Sequence, residues 1–443
     1  MIQIALLLFG DSFVRSRAKY VMFIGCLWGM LGLAIFIDGL SGVTYFPLHS
    51  FGAFLLLESL VTLAIASSGI GTQKALLYFK GGVFCVVALL ILSNKSSSNL
   101  LLAILFGFAY FIIGLFIIFA AWIVRFAQWK MAVLHGLGHI AFALFMMNPY
   151  PTHYKATVSL YLGTLILSSG INTAKFAWRI MTCRAGMSVF ELLMPQDRLY
   201  CCDSAPQCPQ DNDGALLPQT NAPLIIHIWT PVGTASASTL RRPVINRYIA
   251  AVDTQGIISM GHAAVELSSD IYISLYPVDD IDRSPSAFLN VLRATPDNDV
   301  PGRFQPDYAQ EALEWCDSDR KIYFYEYNRQ ALMRFWNSYQ RNTTYNLTYR
   351  NCSSTVAYAL EAALDGVLAR QHQNGVAILK TLMMPELWIA AQMRKRALSM
   401  AWTPGLVMDY ANALRNIIHP VSKPWYQRLH SWVRAEPRAK KTL

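Results

Sequence analysis

The chain has 443 residues, 54% of them hydrophobic and only 14% charged, with a net charge of +10. A polar disordered chain is excluded by that composition, and the absence of a nucleic-acid recognition motif leaves membrane contact as the simpler cause of the positive balance. Nearly all the apolar excess lies before Arg184.

Met1 to Phe13 is apolar but too short to span a bilayer and lacks the basic start of a signal peptide, so it reads as an interfacial segment. Apolar runs near the required length of about 20 residues follow at Tyr20 to Ile37, Phe51 to Gly69, Ala75 to Leu92, Leu100 to Val124, Met131 to Met147 and Thr157 to Ile180. Six transmembrane helices are predicted. Gly25 and Gly29 form a GxxxG pair, and Gly32, Gly107, Gly114, Gly136 and Gly138 also permit close helix contact. The same small-residue surfaces would serve a homo-oligomer built through the membrane helices. Glu58, Lys80, His135, His139 and Lys175 are ionisable residues inside the runs that need weighing. Lysines 80 and 175 are expected to snorkel, and the two histidines, four residues apart without matching carboxylates, to be packed rather than to hold a metal.

Arg15, Arg17, Lys19, Lys74, Arg125, Lys130 and Arg184 fall on one side of the predicted spans, against Lys95 and Lys155 on the other. The charge bias therefore predicts that both termini and the second domain are cytoplasmic. Short apolar helix hairpins repeated about three times over residues 1–185 resemble the HdeD family of small bacterial membrane proteins. That resemblance implies a bacterial inner-membrane location and a link to acid and stress resistance, and it carries no catalytic motif.

Residues 186–223 change to Pro, Asp, Gln, Asn and Ser and read as a linker. Within it, Cys201, Cys202 and Cys208 match no standard zinc spacing. No metal or cofactor is expected. Strands are predicted at Leu224 to Trp229, Ile258 to Leu267, Ile271 to Tyr276 and Lys321 to Tyr327, with a helix at Arg329 to Tyr339 and a long surface loop over Asp279 to Pro306. Together with the segment around Cys352 these make an α+β domain over 224–370. Residues 371–443 mix Lys and Arg with Trp and Tyr and read as a basic helical extension on the anionic membrane surface.

The chemistry concentrates in two short stretches. In YNLTYRNCSSTVAYAL, Tyr345 to Leu360, an irregular polar segment turns into a helix with Cys352 in its first turn, where unpaired backbone N–H groups favour a thiolate and a lowered pKa. In MGHAAVEL, Met260 to Leu267, strand alternation puts His262, Ala264 and Glu266 on one face, so an imidazole can project toward that helix as general base. Reducing conditions on the cytoplasmic side would keep such a thiol free.

The order GHAAVEL, IYISLYP, YNLTYRNCSSTVAYAL resembles the circularly permuted branch of the NlpC-type papain-like thiol hydrolases, over Leu224 to Leu368. The resemblance implies catalysis by Cys352 and His262 through a thioester. It implies a polar group orienting the imidazole, for which Glu266 and Ser274 are the candidates. It also implies an oxyanion-binding tyrosine before the cysteine, Tyr345 with Tyr349 as competitor, and a polar residue preceding the cysteine, matched by Asn351. Peptide, amide and lipid acyl substrates all remain open, since permuted amidases and peptidases and lecithin:retinol acyltransferase-like enzymes share this arrangement. The leading expectation is a membrane-anchored peptidase or amidase. A lipid or lipoprotein acyltransferase is the first rival, and a non-enzymatic membrane scaffold or sensor the second.

Overall fold

The computed structural model describes residues 1–41, 46–66, 72–126, 128–150, 153–182, 188–194, 222–229, 251–252, 258–259, 261–268, 271–279, 281, 288–371 and 375–420. Cys183, Arg184, Cys201, Cys202, Cys208 and the basic tail beyond 420 lie outside them. Six helices come first: α1 (Ile2–Leu40), α2 (Leu48–Ala66), α3 (Thr72–Ser93), α4 (Ser96–Val124), α5 (Trp129–Met147) and α6 (Thr157–Thr182). Four contain segments long and apolar enough to cross a membrane, namely Phe13–Leu40, Lys74–Ser93, Ser96–Val124 and Trp129–Met147. Of the other two, α2 is a shorter apolar helix, and α6 carries Asn172, Thr173 and Lys175 in its second half.

The helices associate as pairs, α1 with α6, α2 with α3 and α4 with α5. Glycines make the first pair close: a Cβ on Gly32 would strike the backbone of Leu167, and one on Gly170 the backbone of Gly29. In the third pair Gly114 faces the carbonyl of Gly136. Lipid offers no hydrophobic drive for this association, so backbone proximity and dispersion supply it. Glu58 accepts from Lys80 at 2.6 Å and from Thr62 at 3.0 Å, so Lys80 is paired across α2 and α3 rather than snorkelling alone. His135 and His139 meet edge to face at 4.4 Å between ring centroids, with His139 Nδ1 3.0 Å from the carbonyl of His135.

A mixed α/β unit follows. Its helices are α7 (Val189–Leu193), α8 (Phe288–Val291), α9 (Tyr308–Glu314), α10 (Arg329–Tyr339), α11 (Cys352–Leu364), α12 (Val367–Gln371), α13 (Gly375–Leu382), α14 (Pro385–Ser399) and α15 (Pro404–Ile418). Its strands are β1 (Leu224–Trp229), β2 (Ala251–Val252), β3 (Ile258–Ser259), β4 (His262–Leu267), β5 (Ile271–Ile273), β6 (Leu275–Pro277), β7 (Val300–Phe304), β8 (Arg320–Phe324) and β9 (Thr344–Tyr345). The main sheet has the order β5-β4-β1-β8, all antiparallel, and β6-β7-β9 form a smaller one. α11 packs its Val356, Leu360 and Leu364 side into the common core with Ile226, Ile228 and Val265 of the sheet.

Four expectations need correction. The segment Ile2 to Phe9 is not interfacial: Ile4, Leu7, Leu8 and Phe9 are at most 2% exposed, packed into the core of the α/β unit. Gly10, at φ 75°, breaks α1 just after this piece and lies against Gly366, whose N–H donates to the carbonyl of Leu7 at 3.0 Å. The linker does not begin at 186, because α7 is a buried helix closed by a capping box between Ser188 and Glu191. Asp279 to Pro306 is not simply loop, since β7 joins β6 to β9 within it. Nor does the unit stop at Arg370. α14 and α15 bury Leu387, Ala390, Met393, Tyr410 and Leu414 in the same core, so Lys395 and Arg396 are exposed positions on a packed helix, with Arg394 turned inward, and not part of a peripheral tail.

A charged cluster ties these late helices to α11. Glu361, 1% exposed, accepts from Arg394 Nε at 2.7 Å, from Arg394 Nη2 at 3.1 Å and from the Tyr410 hydroxyl at 2.9 Å. Removing one member of such a buried set leaves an uncompensated charge. Arg394→Met is accordingly expected to cost about 3–5 kcal/mol, read as a lowered thermal midpoint of the detergent-solubilised protein, while Arg394→Met with Glu361→Leu recovers most of the loss. At the α1 kink, Gly10→Ala forces a side chain into positive φ against backbone and is expected to cost at least about 1–2 kcal/mol, seen as earlier proteolytic release of the first ten residues.

Candidate functional site

Cys352 opens α11 and is almost wholly buried. The helix begins here because Asn351 caps it: Asn351 Oδ1 accepts the Ser354 N–H at 2.7 Å, and Ser354 Oγ accepts the Asn351 N–H at 2.8 Å. The other end of the same amide donates to the carbonyls of Leu347 at 2.7 Å and Trp402 at 3.0 Å. Beneath the preceding loop lies Arg350, 1% exposed, whose guanidinium donates to the carbonyls of Thr344 and Tyr339, both at 2.9 Å, and to that of Asn342. Asn351 is therefore a structural cap, with both halves of its amide engaged.

The Cys352 sulfur receives the backbone N–H groups of Ser353 and Ala263 and lies 3.7 Å from the Ser353 hydroxyl. Ala263 is the neighbour of His262, so the β4 strand that carries the imidazole touches the sulfur directly. Burial nevertheless raises the thiol above its ordinary range, against the lowering from the Ser353 hydroxyl and the two N–H groups, and the Glu311 charge adds to the rise. The expected thiolate from the helix N-terminus is thus overturned for the resting site. Desolvation outweighs the partial charge of the helix end.

His262 begins β4 opposite Trp229 of β1. Its ring stacks on Tyr276 at 4.1 Å and lies 5.4 Å from Trp229 and 6.2 Å from Trp315. Nε2 is 2.8 Å from Ser274 Oγ and 3.2 Å from Glu311 Oε1. Nε2 is thus the nitrogen engaged by Ser274 and Glu311. Complete burial pulls the imidazole down to about 3. At rest the pair is a neutral thiol beside a neutral imidazole.

Of the two candidates for orienting His262, Ser274 is the one in contact. Glu266 instead meets Nε2 of the buried His227 at 2.8 Å, and His227 Nδ1 is 3.0 Å from Ser318 Oγ. The physical reason is distance along the strand. Sharing a face with His262 four residues away means a separation of roughly 13 Å, whereas the β1–β4 register sets Ala264 opposite His227 and leaves Glu266 one diagonal step from it. Tyr345 lines the cavity around Cys352. Tyr349 is engaged elsewhere, with its hydroxyl donating to both carboxylate oxygens of Asp299 at 2.7 and 2.8 Å.

Glu311 on α9 was not anticipated. It is 1% exposed and accepts from Tyr272 at 2.6 Å and Tyr276 at 2.9 Å, and its carboxyl is raised by burial while Tyr272, Ser274 and Tyr276 hold it down. Its segment, PDYAQEALE, shows Asp307 as a helix cap but gives no sign of burial.

His262, Cys352, Tyr276, Tyr345 and Trp315 line a cavity of about 350 Å³. Much of its wall is apolar, with Leu275, Pro277, Ile281, Leu292, Leu347 and Leu406. Arg396 comes from α14, Trp402 from the turn between α14 and α15, and Ile123 and Val124 from the end of α4. Cys26, Cys85, Cys316 and Cys352 are all free thiols, and no His, Cys, Asp or Glu cluster able to hold a metal occurs among the described residues. Compared with known proteins, the chain gives no significant match to a family model, a curated protein or a solved structure.

Two measurements follow from the neutral pair. Alkylation of Cys352 by iodoacetamide is expected to climb with pH through the ordinary thiol value of 9.0, without the plateau reaching down to about pH 5 that an ion-paired thiolate would give. Because the folded imidazole titrates near 3 against 6.5 unfolded, the unfolded chain binds more protons between those values. His262 therefore stabilises the fold above pH 6.5 and loses this contribution as pH falls toward 3, so His262→Gln should flatten the acid limb of the thermal midpoint.

Proposed function

We propose that the chain is a polytopic membrane enzyme whose α/β unit transfers acyl groups through a thioester on Cys352, with His262 as general base. The observation that carries this reading is that the two side chains line one cavity, with one nitrogen of the imidazole held by Ser274 and Glu311. Nδ1 takes the thiol proton as sulfur bonds to the acyl carbon. The resulting imidazolium faces the Glu311 carboxylate and then protonates the departing alcohol or amine as its bond to the acyl carbon breaks. The single backbone N–H of Cys352 at the helix start, together with the Tyr345 hydroxyl as second donor, would receive the oxyanion. Water or an acceptor amine resolves the thioester.

Peptide, amide and lipid esters share this chemistry. The apolar wall favours the acyltransferase reading over the peptidase or amidase, because a peptide brings N–H and C=O groups that such a lining leaves unpaired. The permuted order, histidine strand before cysteine helix, supports the papain-like assignment.

For the membrane half we infer six spans. The start of α1, the end of α2 with the start of α3, the end of α4 and the end of α6 all meet the α/β unit, as alternating traverses require: Ala66, Leu77, Phe176 and Ile180 belong to its core cluster, and the Val124 carbonyl accepts the N–H of Ala294. Arg15, Arg17, Lys19, Lys74, Arg125 and Lys130 lie at that same end, which supports a cytoplasmic active site in a bacterial inner membrane. A stress-related role rests on the HdeD-like pattern alone.

Incubation of the purified protein with a short acyl thioester is expected to give an acyl adduct at Cys352 by intact-mass analysis. Cys352→Ala should abolish it, and His262→Ala should slow it by about 10²–10⁴-fold. An adduct rate indifferent to His262 would refute the reading.

A further inference from the structure

The membrane helices need not be only an anchor, because α4 contributes the wall of the catalytic cavity. Ile123 and Val124, its last two residues, line that cavity alongside His262 and Cys352. The Val124 carbonyl accepts the N–H of Ala294 at 2.5 Å, which fixes this helix end to the segment that also supplies Leu292. Upstream, Ile112, Phe116 and Phe119 are 46%, 43% and 56% exposed. Their positions relative to Ile112 are 0, +4 and +7, and Ile123 follows at +11, so the four lie on one face of the helix. Side chains of this kind exposed on a spanning helix face hydrocarbon. At 1.5 Å per residue the stripe runs about 16 Å, roughly the depth of one leaflet. It ends at Ile123, which lines the cavity.

We propose that the cavity is loaded sideways from the bilayer: the acyl chain of a membrane lipid lies along the Ile112, Phe116 and Phe119 face of α4 and passes Ile123 to reach Cys352, so that Ile123 selects the acyl chains admitted. The substrate class is a lipid of the adjoining leaflet carrying an ester or amide carbonyl near its headgroup. This deepens the acyl-transfer reading and rests on it for the identity of the reacting carbonyl. One observation carries the route itself: Ile123 continues the exposed apolar stripe of α4 and lines the cavity that Cys352 also lines.

The test uses the full-length protein in lipid nanodiscs and N-ethyl, N-octyl and N-hexadecyl maleimide, with modification of Cys352 followed by mass spectrometry. Each variant is compared with wild type for the same probe, which cancels differences in partitioning. Ile123→Trp is expected to slow the octyl and hexadecyl probes by about tenfold or more beyond any effect on the ethyl probe, and Ile123→Ala to speed the hexadecyl probe. An unshifted thermal midpoint of each variant reports that it is folded. Equal effects of Ile123→Trp on all three probes, or none on any, together with an indifferent Ile123→Ala, would overturn the proposal. His262→Ala separates the two readings: slowing of all three probes alike supports the Cys-His pair, whereas no slowing refutes that pair and leaves the chain-length result to decide the route.

Discussion

One side-chain amide holds the Cys352 end of the α/β unit together. Asn351 caps α11 through its oxygen and, through its nitrogen, fastens the loop at Leu347 and the turn at Trp402. Cys352 is the next residue, so the position of its sulfur depends on three stretches of chain meeting at that amide. An uncapped helix start would leave buried N–H donors unpaired. Substituting the cap would then disturb the entry of the C-terminal helices as well as the first turn of α11.

The electrostatics of the site are set by exclusion of water. His262 sits among Tyr276, Trp229 and Trp315, and Cys352 is nearly as enclosed. In this setting each group resists ionisation alone, burial holding the imidazole low and the thiol high. Glu311 lies against the imidazole, and the N–H groups of Ala263 and Ser353 lie against the sulfur. The Glu311 carboxylate is itself held in place by the hydroxyls of Tyr272 and Tyr276.

Much of this was legible in the sequence, for identifiable reasons. Apolar runs of spanning length gave the six helices, because their signal is local and long. The start of α11 could be read from a polar segment turning into spaced Val356, Leu360 and Leu364, and β4 from its alternation. Glu311 could not be read, since nothing within PDYAQEALE shows that Tyr272 and Tyr276 will close over it. The same applies to Glu266. Strand alternation gives the face a residue occupies, but its partner depends on register with β1, which is a long-range fact. The C-terminal helices were misjudged because Arg394, Lys395 and Arg396 dominate a short window, although Arg394 itself turns inward to Glu361.

The contact of Gly10 with Gly366 joins two stretches that are far apart in sequence. The Gly366 N–H donates to the carbonyl of Leu7, so the kink in α1 and the turn between α11 and α12 are positioned by each other. Closure of the α/β core therefore depends on two backbones meeting without a side chain between them, and a Cβ at Gly10 would hold them apart.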